Sequence, residues 1–282
     1  MGTDTRNKSI QFNWDIHWVC NYRCPYCWFA GKWDELKNQN LYLEPKNLLS
    51  FWKNIHDKYG TVKIAITGGE PFLYPGFIDV IKEICRFHKI EIVTNFSCDI
   101  EDFISQTDLE NIEIRPSFHP LFADFDAFAK KMILLKKKKP NQEVSYLAWP
   151  PQTPKIKYYY DKFAQYGISM FVQSFFGEYK GVRYPDGYSD EEREVILPFI
   201  GARGGKPFQT EPLKTKGRLC SAGYRYGVIH PDGAIFRCGG INSANSQIGN
   251  LSDKNFELLK ERSPCTSEIC PCNEWAFLLE QD

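Results

Sequence analysis

The sequence predicts an α/β protein: a partial (β/α)6 barrel of parallel strands, followed by a small C-terminal domain built on a β-hairpin plus helix. Three observations point there. From residue 11 to about 176, short runs rich in Ile, Val, Thr and Phe alternate six times with helix-length runs, the pattern of βα units with right-handed crossovers. Short cysteine- and glycine-bearing motifs fall just after the strand-like runs, where barrels of this kind gather their chemistry. Beyond residue 200 the periodicity stops in a stretch rich in Gly, Pro and Lys, and five of the ten cysteines follow it. Domains are therefore expected at 1–200 and 201–282.

Each element has a local reason. Strands are expected over 12–19, 62–67, 90–94, 112–118, 143–149 and 169–175, each short and β-branched or aromatic. Helices are expected over 45–59, 76–88, 100–106, 125–139 and 155–166; Pro45 suits a first helical turn. Lys136 to Lys139 close the helix before Pro140, where cations complement the negative end of the helix dipole. Residues 175–185 read as a loop, and Ser189-Asp190-Glu191-Glu192 as the start of a further helix.

Composition narrows the class. Hydrophobic residues make up 43% and charged ones 25% of 282 residues, ordinary for a globular enzyme. Lys+Arg and Asp+Glu both total 35, so no broad basic field exists and nucleic acid is not an expected partner. No run approaches the roughly 18 apolar residues of a membrane span, and residues 1–9 are polar without a cleavage pattern. The expected location is cytoplasmic, with no membrane partner. In such a reducing compartment ten cysteines read better as metal ligands than as disulfides.

Cys20, Cys24 and Cys27 sit at spacings of four and three directly after the first strand. Cys24-Pro25-Tyr26-Cys27 alone would suit a dithiol redox pair, but that leaves Cys20 without a role. A closed zinc site needs a fourth ligand, and the next histidine is His56, inside a helix-like run. Three thiolates on a four-iron cluster leave one iron open to a ligand the protein does not supply. Gly68-Gly69-Glu70-Pro71 follows the second strand, Thr94-Asn95 ends the third and Ser117-Phe118-His119 ends the fourth.

With these motifs together, the chain resembles the radical S-adenosylmethionine (radical SAM) enzymes, whose signature Cys-x3-Cys-x-aromatic-Cys is met by Cys20, Cys24, Tyr26 and Cys27. The resemblance implies a 4Fe-4S cluster whose open iron is chelated by S-adenosylmethionine. It places Tyr26 near the adenine, has Gly68, Gly69 and Glu70 hold the methionyl ammonium, and sets Asn95 and Ser117 at the ribose or methionyl carboxylate. Electron transfer to that cluster yields methionine and a 5′-deoxyadenosyl radical that abstracts a hydrogen atom. The implied partner is an external one-electron reductant of flavodoxin or ferredoxin type.

Strand alternation sorts the lumen. If Ile112, Ile114 and Phe118 face the helices, then Glu113, Arg115 and Ser117 face inward. Likewise Phe12, Trp14, Ile16 and Trp18 would face outward, leaving Asn13, Asp15 and His17 inside. The last strand offers Gln173 or Ser174, and His119 follows the fourth. Asn13, Asp15, Arg115, His119 and Gln173 are the candidate substrate contacts, and such a lumen suits a small polar substrate. Candidate groups for proton or hydrogen-atom transfer are His17, Cys98 and Tyr226.

Downstream, residues 226–230 and 234–237 flank Pro231-Asp232-Gly233 as a hairpin. Cys220, twelve residues, Gly233, four residues and Cys238 precede Cys265, Cys270 and Cys272. A zinc ribbon is one reading of these cysteines. The pattern also resembles the twitch or SPASM extension of radical SAM enzymes, and five thiols fit one auxiliary 4Fe-4S cluster better than two. Which of Cys265, Cys270 and Cys272 ligate it stays open. Cys85, on a helix, reads as core. The expected activity is two-electron oxidation of a sugar, aminocyclitol or nucleotide. Epimerisation and peptide modification are the alternatives within the family, and an iron–sulfur electron carrier the one outside it. Only about ten residues precede the first strand, which leaves little room for a leader-binding module and weighs against a peptide substrate.

Overall fold

The computed structural model describes residues 10–203, 206–207, 213–239, 246–270 and 278–279. Its first half runs β1 (Gln11–His17), α1 (Trp33–Leu36), α2 (Pro45–Tyr59), β2 (Lys63–Gly68), α3 (Phe77–Ile84), β3 (Lys89–Thr94), α4 (Ile100–Gln106) and β4 (Ile112–Pro116). It continues with α5 (Phe125–Lys138), β5 (Glu143–Ala148), α6 (Ile156–Ala164), β6 (Ser169–Ser174), β7 (Gly177–Tyr179), β8 (Val182–Tyr184) and α7 (Asp190–Ile196). Short strands follow: β9 (Ala202–Arg203), β10 (Lys206–Pro207), β11 (Leu219–Cys220), β12 (Tyr226–Ile229), β13 (Ala234–Phe236), β14 (Gln247–Asn250) and β15 (Ser263–Pro264).

The helices form where the sequence pattern asks for them. In α2, Leu48, Phe51, Trp52 and Ile55 recur at helical spacing and are all buried, with Pro45 in the first turn. Asp99 caps α4 by accepting from Glu101 N and Asp102 N, and Asp124 caps α5 through Ala127 N. Ser189 and Glu192 close a capping box on α7. Among the described residues no helix is long and apolar enough to cross a membrane.

Strands β1 to β4 pair in parallel and in order. A parallel bridge from Ser117 to Ser145, with Phe118 N donating to Ser145 O (2.9 Å), carries the wall on to the parallel pair β5 and β6. This is the six-stranded partial barrel. Its apolar face packs under the helices: Trp14 lies on Trp52 (5.5 Å between ring centroids), and Phe118 meets Phe125, Phe128 and Phe163.

Two features could not be read from local sequence. The hairpin of β12 and β13 joins the barrel sheet: β12 lies parallel to β1, from Gln11 opposite Tyr226 to Trp14 opposite Ile229. The seven-stranded order is β14-β13-β12-β1-β2-β3-β4, so one sheet crosses the boundary expected at residue 200. β1 otherwise has an open edge, and a buried strand's unpaired amides and carbonyls must find partners. The second feature is a register shift between Asp15 and His17, where β1 bulges against β2. Asn13 and Asp15 keep the inward positions expected of them. The bulge breaks the alternation, so His17 leaves the lumen and is fully buried beside Tyr74 (5.7 Å) and Tyr42 (6.4 Å). A lumen role for His17 is therefore corrected. The segment expected as loop after β6 instead forms the β7–β8 hairpin, whose turn sets Lys180 and Gly181 at φ of 51° and 76°. Lys at the first left-handed position hides that turn from a sequence reading.

Candidate active site at the C-terminal ends of the strands

The chain leaves β1 and, past Cys20, folds Cys24 and Cys27 into consecutive turns, with Cys27 N donating to Cys24 O (3.1 Å) and Ala30 N to Cys27 O (3.0 Å). Cys24 is buried, while Cys20 and Cys27 are half-buried. Burial first, then the charge of the neighbouring thiols, pushes Cys24 up to about 12 and Cys27 up to about 11. Three thiolates so close repel one another in a drying pocket, and iron supplies the positive charge that ionises them together. Among the described residues no three Cys, His, Asp or Glu side chains converge to hold a single metal ion. A four-iron cube, with its metals at separate corners, does not ask them to. The loop fits such a cluster.

The Gly-Gly-Glu turn is pressed against the end of β1. Gly69 N donates to His17 O (2.7 Å) and Glu70 N to Val19 O (2.9 Å). A Cβ on Gly69 would lie 2.0 Å from Val19 O, and one on Gly68, at φ +105°, 2.4 Å from His17 O. Both glycines are therefore demanded by strand packing, independently of any ligand. Inside the turn, the buried Glu70 carboxylate accepts from Thr94 Oγ1 (2.7 Å), Asn95 N (2.7 Å) and Phe72 N (3.2 Å). Burial outweighs those bonds and pushes Glu70 up to about 7. His17 donates from Nε2 to Glu70 O (2.8 Å), and its Nδ1 is buried without a partner. Burial lowers the His17 pKa, so it is a neutral strut beneath the turn.

The loop after β3 ties the two motifs together. Asn95 Nδ2 donates to Asn21 Oδ1 (2.8 Å) and approaches Cys20 Sγ (3.8 Å), while its Oδ1 accepts from Ser97 N (2.9 Å). Phe96 sits at φ +60°, a left-handed conformation that costs a non-glycine about 1–3 kcal/mol. Thr94 Oγ1 accepts from Phe96 N (2.9 Å), and Lys131 Nζ donates to Phe96 O (3.1 Å) and Cys98 O (2.7 Å). Cys98 itself is half-buried against the core and burial pushes its thiol up to about 12, a poor source of thiolate.

On the opposite wall, Tyr26 is buried, its ring parallel to His119 (5.8 Å, 16°) and against Trp149 (5.2 Å). Its hydroxyl lies 3.1 Å from His119 Nδ1, which is 3.7 Å from Cys24 Sγ. Burial pushes His119 down to about 4, so it is neutral. Tyr179 of the β7–β8 hairpin extends this aromatic wall by packing on Trp149 (5.3 Å).

The lumen between these walls is polar. Thr67 Oγ1 donates to Asp15 Oδ1 (2.5 Å) and accepts from Asn13 Nδ2 (3.1 Å), and His230 Nε2 stands 3.9 Å from Asp15 Oδ2. Ser117 and Ser145 share a hydrogen bond (2.8 Å). Gln173, half-buried, pairs across from Leu147, one step above the Ser145 row. Its neighbour Ser174 is buried. Arg115 sits lower in the barrel, bound to Glu113 (3.0 Å) and near Glu91 (3.6 Å), which also takes Lys63 (2.5 Å). An Arg115 so engaged closes the floor of the lumen as much as it offers a contact. Thr67, Ser145, Lys131, Trp149, Tyr179 and His230 were not singled out from sequence. Thr67 was open to detection, since it precedes Gly68 in a strand next to Asp15; His230 was not, because its position depends on β12 joining β1.

The C-terminal thiols form a second group. Cys220 is buried with Tyr226 and Val228, and Cys238 and Cys265 pack on the same cluster. Burial first, then the nearby thiols of Cys265 and Cys270, raises the Cys220 pKa. The β11–β15 pair and Cys265 N donating to Arg218 O (2.8 Å) bring the segments together. Cys272 lies outside the described residues. Tyr226 thus belongs with this thiol group and not with the Cys20 loop. Cys85 is buried at the end of α3, its thiol on Lys82 O (3.3 Å).

A three-cysteine loop, a Gly-Gly-Glu turn and a parallel barrel mouth define a radical SAM core, and residues 18–105 match the Radical SAM superfamily. Residues 18–105 thus carry a Radical SAM domain; proteins of that family are enzymes that bind a 4Fe-4S cluster and S-adenosylmethionine and take an electron from an external reductant. Among curated relatives, it is 34% identical over 113 residues to an S-adenosylmethionine-dependent nucleotide dehydratase of a Thermoplasmatales archaeon, covering 38% of this chain and 37% of that one. It is 38% identical over 73 residues to a GTP 3',8-cyclase of Crocosphaera subtropica, 26% of this chain and 21% of that one. The chain thus spans well under half the length of these relatives. Its fold is similar to native anSMEcpe with bound AdoMet (TM-score 0.60, 15% identity, covering 86% of this chain and 78% of that one). It is similar too to Streptococcus suis SuiB bound to S-adenosylmethionine (TM-score 0.60, 14% identity, 88% and 64%).

Proposed function

We propose that this enzyme removes a hydrogen atom from a small polar molecule held in the barrel lumen, as the first half of a two-electron oxidation. The observation that carries this reading is the mouth of the lumen, where Asn13, Asp15, Thr67 and His230 form one connected polar group on β1, β2 and the C-terminal hairpin. Hydroxyl and amine groups of a sugar, aminocyclitol or nucleotide are the ligands such groups recognise. The sequence relatives are named for nucleotide chemistry.

Cys20, Cys24 and Cys27 would hold the cluster. Tyr26 would stand near the adenine; Gly68, Gly69 and Glu70 would receive the methionyl ammonium, with Asn95 and Ser117 beside them. When bound, the cluster and S-adenosylmethionine supply the hydrogen-atom abstraction. Residues 1–200 would form the catalytic barrel and residues 201–282 the unit whose Cys220, Cys238, Cys265 and Cys270 would hold an auxiliary 4Fe-4S electron acceptor. Cys272 is a further candidate. Tyr26, His119, Trp149 and Tyr179 exclude water from the mouth, and the Ser117–Ser145 pair orients polar groups above the Arg115 floor.

The test is to supply dithionite, S-adenosylmethionine and a panel of nucleotides, aminosugars and cyclitols to the anaerobically reconstituted enzyme. Deoxyadenosine formed in step with a product lighter by two hydrogens is the expected outcome. Product of unchanged mass carrying solvent deuterium at carbon would make the enzyme an epimerase. Turnover confined to peptides would overturn the small-molecule reading.

Glu70 adds a pH signature. Its carboxyl, held near 7, is about half protonated at neutral pH. An ammonium ligand selects the ionised form, so its affinity should rise with pH through 7 and level off above about 8. Calorimetry in buffers of different ionisation enthalpy should show, at pH 7, about half a proton more released per S-adenosylmethionine bound by the parent than by Glu70→Gln, the remainder in both coming from the ligand's amino group as it meets the iron. Equal release from both proteins would show that Glu70 does not meet the methionyl amino group.

A further inference from the structure

Arg23 lies inside the first cysteine motif, and no role described so far uses it. Although exposed, its side chain turns back on its own loop. Nη1 donates to the carbonyls of Cys20 and of Tyr22 (3.1 Å to the latter), and the guanidinium lies over the Trp33 ring, 5.1 Å from its centroid. Trp33 opens α1 and packs on Phe29 (6.1 Å), which packs on Trp18 at the end of β1 (4.4 Å). A chain of aromatic contacts thus connects the strand to a cation on the cysteine loop. Releasing so flexible a side chain to water would gain rotamer entropy, which two carbonyl bonds and a cation–π contact offset here. Among the described residues its direct partners are two carbonyls and an indole, all uncharged, and the nearby Asp34 is bound to Lys37 (2.8 Å), so none of them forms a direct ion pair with the guanidinium.

We propose that Arg23, seated on Trp33, is a positioning residue that holds a fixed positive charge beside the cluster carried by Cys20, Cys24 and Cys27 and so favours its reduction. The inference rests on the reading of that loop as the cluster site. One-electron reduction by an external donor, dithionite in the test, adds a negative charge to the cluster and breaks no bond. A cation at short range stabilises the reduced state over the oxidised one, one of the levers that set iron–sulfur potentials. Arg suits the place because its planar fork meets two carbonyls and an indole face at once.

The test uses the full chain, reconstituted anaerobically and titrated potentiometrically, following the reduced signal that changes on adding S-adenosylmethionine. Arg23→Gln should lower the reduction equilibrium constant about tenfold, which is about 59 mV for one electron. Arg23→Lys should stay within about threefold of the parent, because the charge is kept. The deficit should shrink at about 1 M salt, where exposed charges are screened. Equal potentials in the parent and Arg23→Gln, at equal iron content, would overturn the proposal while leaving the cluster reading intact. If Arg23→Gln takes up no iron, a near-parental potential in Arg23→Lys supports the proposal, and loss of iron in both overturns a charge role. A parent protein with no signal responsive to S-adenosylmethionine would instead overturn the cluster reading itself, and this proposal with it.

Discussion

Gly69→Ala is expected to destabilise the protein by about 3–5 kcal/mol and to abolish S-adenosylmethionine binding. The added methyl would stand 2.0 Å from Val19 O and 2.5 Å from Val19 C, and both atoms are backbone that cannot swing aside. Relief requires the end of β1 to move away from the Gly-Gly-Glu turn. That breaks the bonds from Gly69 N to His17 O and from Glu70 N to Val19 O, which seat the turn beside the cysteine loop. Gly76→Ala is the control. Gly76 has φ +69° but no atom within 4 Å of the added methyl, so only the left-handed backbone penalty of about 1 kcal/mol applies. Denaturant midpoints of the two variants, with calorimetry for the ligand, decide the matter. A Gly69→Ala protein as stable as Gly76→Ala would show that the packing of β1 on this turn is not what demands glycine.

Cys24→Ala and Cys220→Ala should each remove one cluster and spare the other. The two thiol groups belong to separate hydrophobic clusters, Cys24 to the barrel core and Cys220 to the small C-terminal one. Each variant is expected to retain about half the parental iron. Cys24→Ala should lose all cleavage of S-adenosylmethionine, because the open-iron site is gone. Cys220→Ala should keep cleavage and lose coupled product, leaving deoxyadenosine formed without substrate oxidation. Iron analysis, low-temperature EPR and product quantification read the three quantities separately. Cleavage surviving in Cys24→Ala would refute the assignment of the first site. Full product from Cys220→Ala would refute an electron-accepting role for the second.

Much of the site is legible because its parts are local. A three-cysteine loop, a glycine pair and a capped helix are each specified within a few residues, and each declares itself by spacing. Glu70 shows the limit of such reading. Its presence in the turn is evident from sequence, yet its raised pKa comes from burial in the folded turn, which outweighs the lowering by the hydrogen bonds from Thr94, Asn95 and Phe72. His17 shows a second limit, since strict alternation sends it to the lumen and a bulge sends it under the turn. His119 is a third: it follows the fourth strand as a loop residue, and only the closure of the wall brings it to Tyr26 and Cys24.

The order of strands and helices, the cysteine loop and the direction in which most strand residues point were determined by sequence alone, because a period of two or 3.6 residues and a turn's need for glycine act over short distances. Tertiary structure alone decided that β12 covers the free edge of β1, that His230 therefore faces Asp15, and that Cys220, Cys238 and Cys265 meet. Those outcomes depend on which distant strand satisfies an open row of backbone groups, and on desolvation once it does. No residue carries that information in its own neighbourhood.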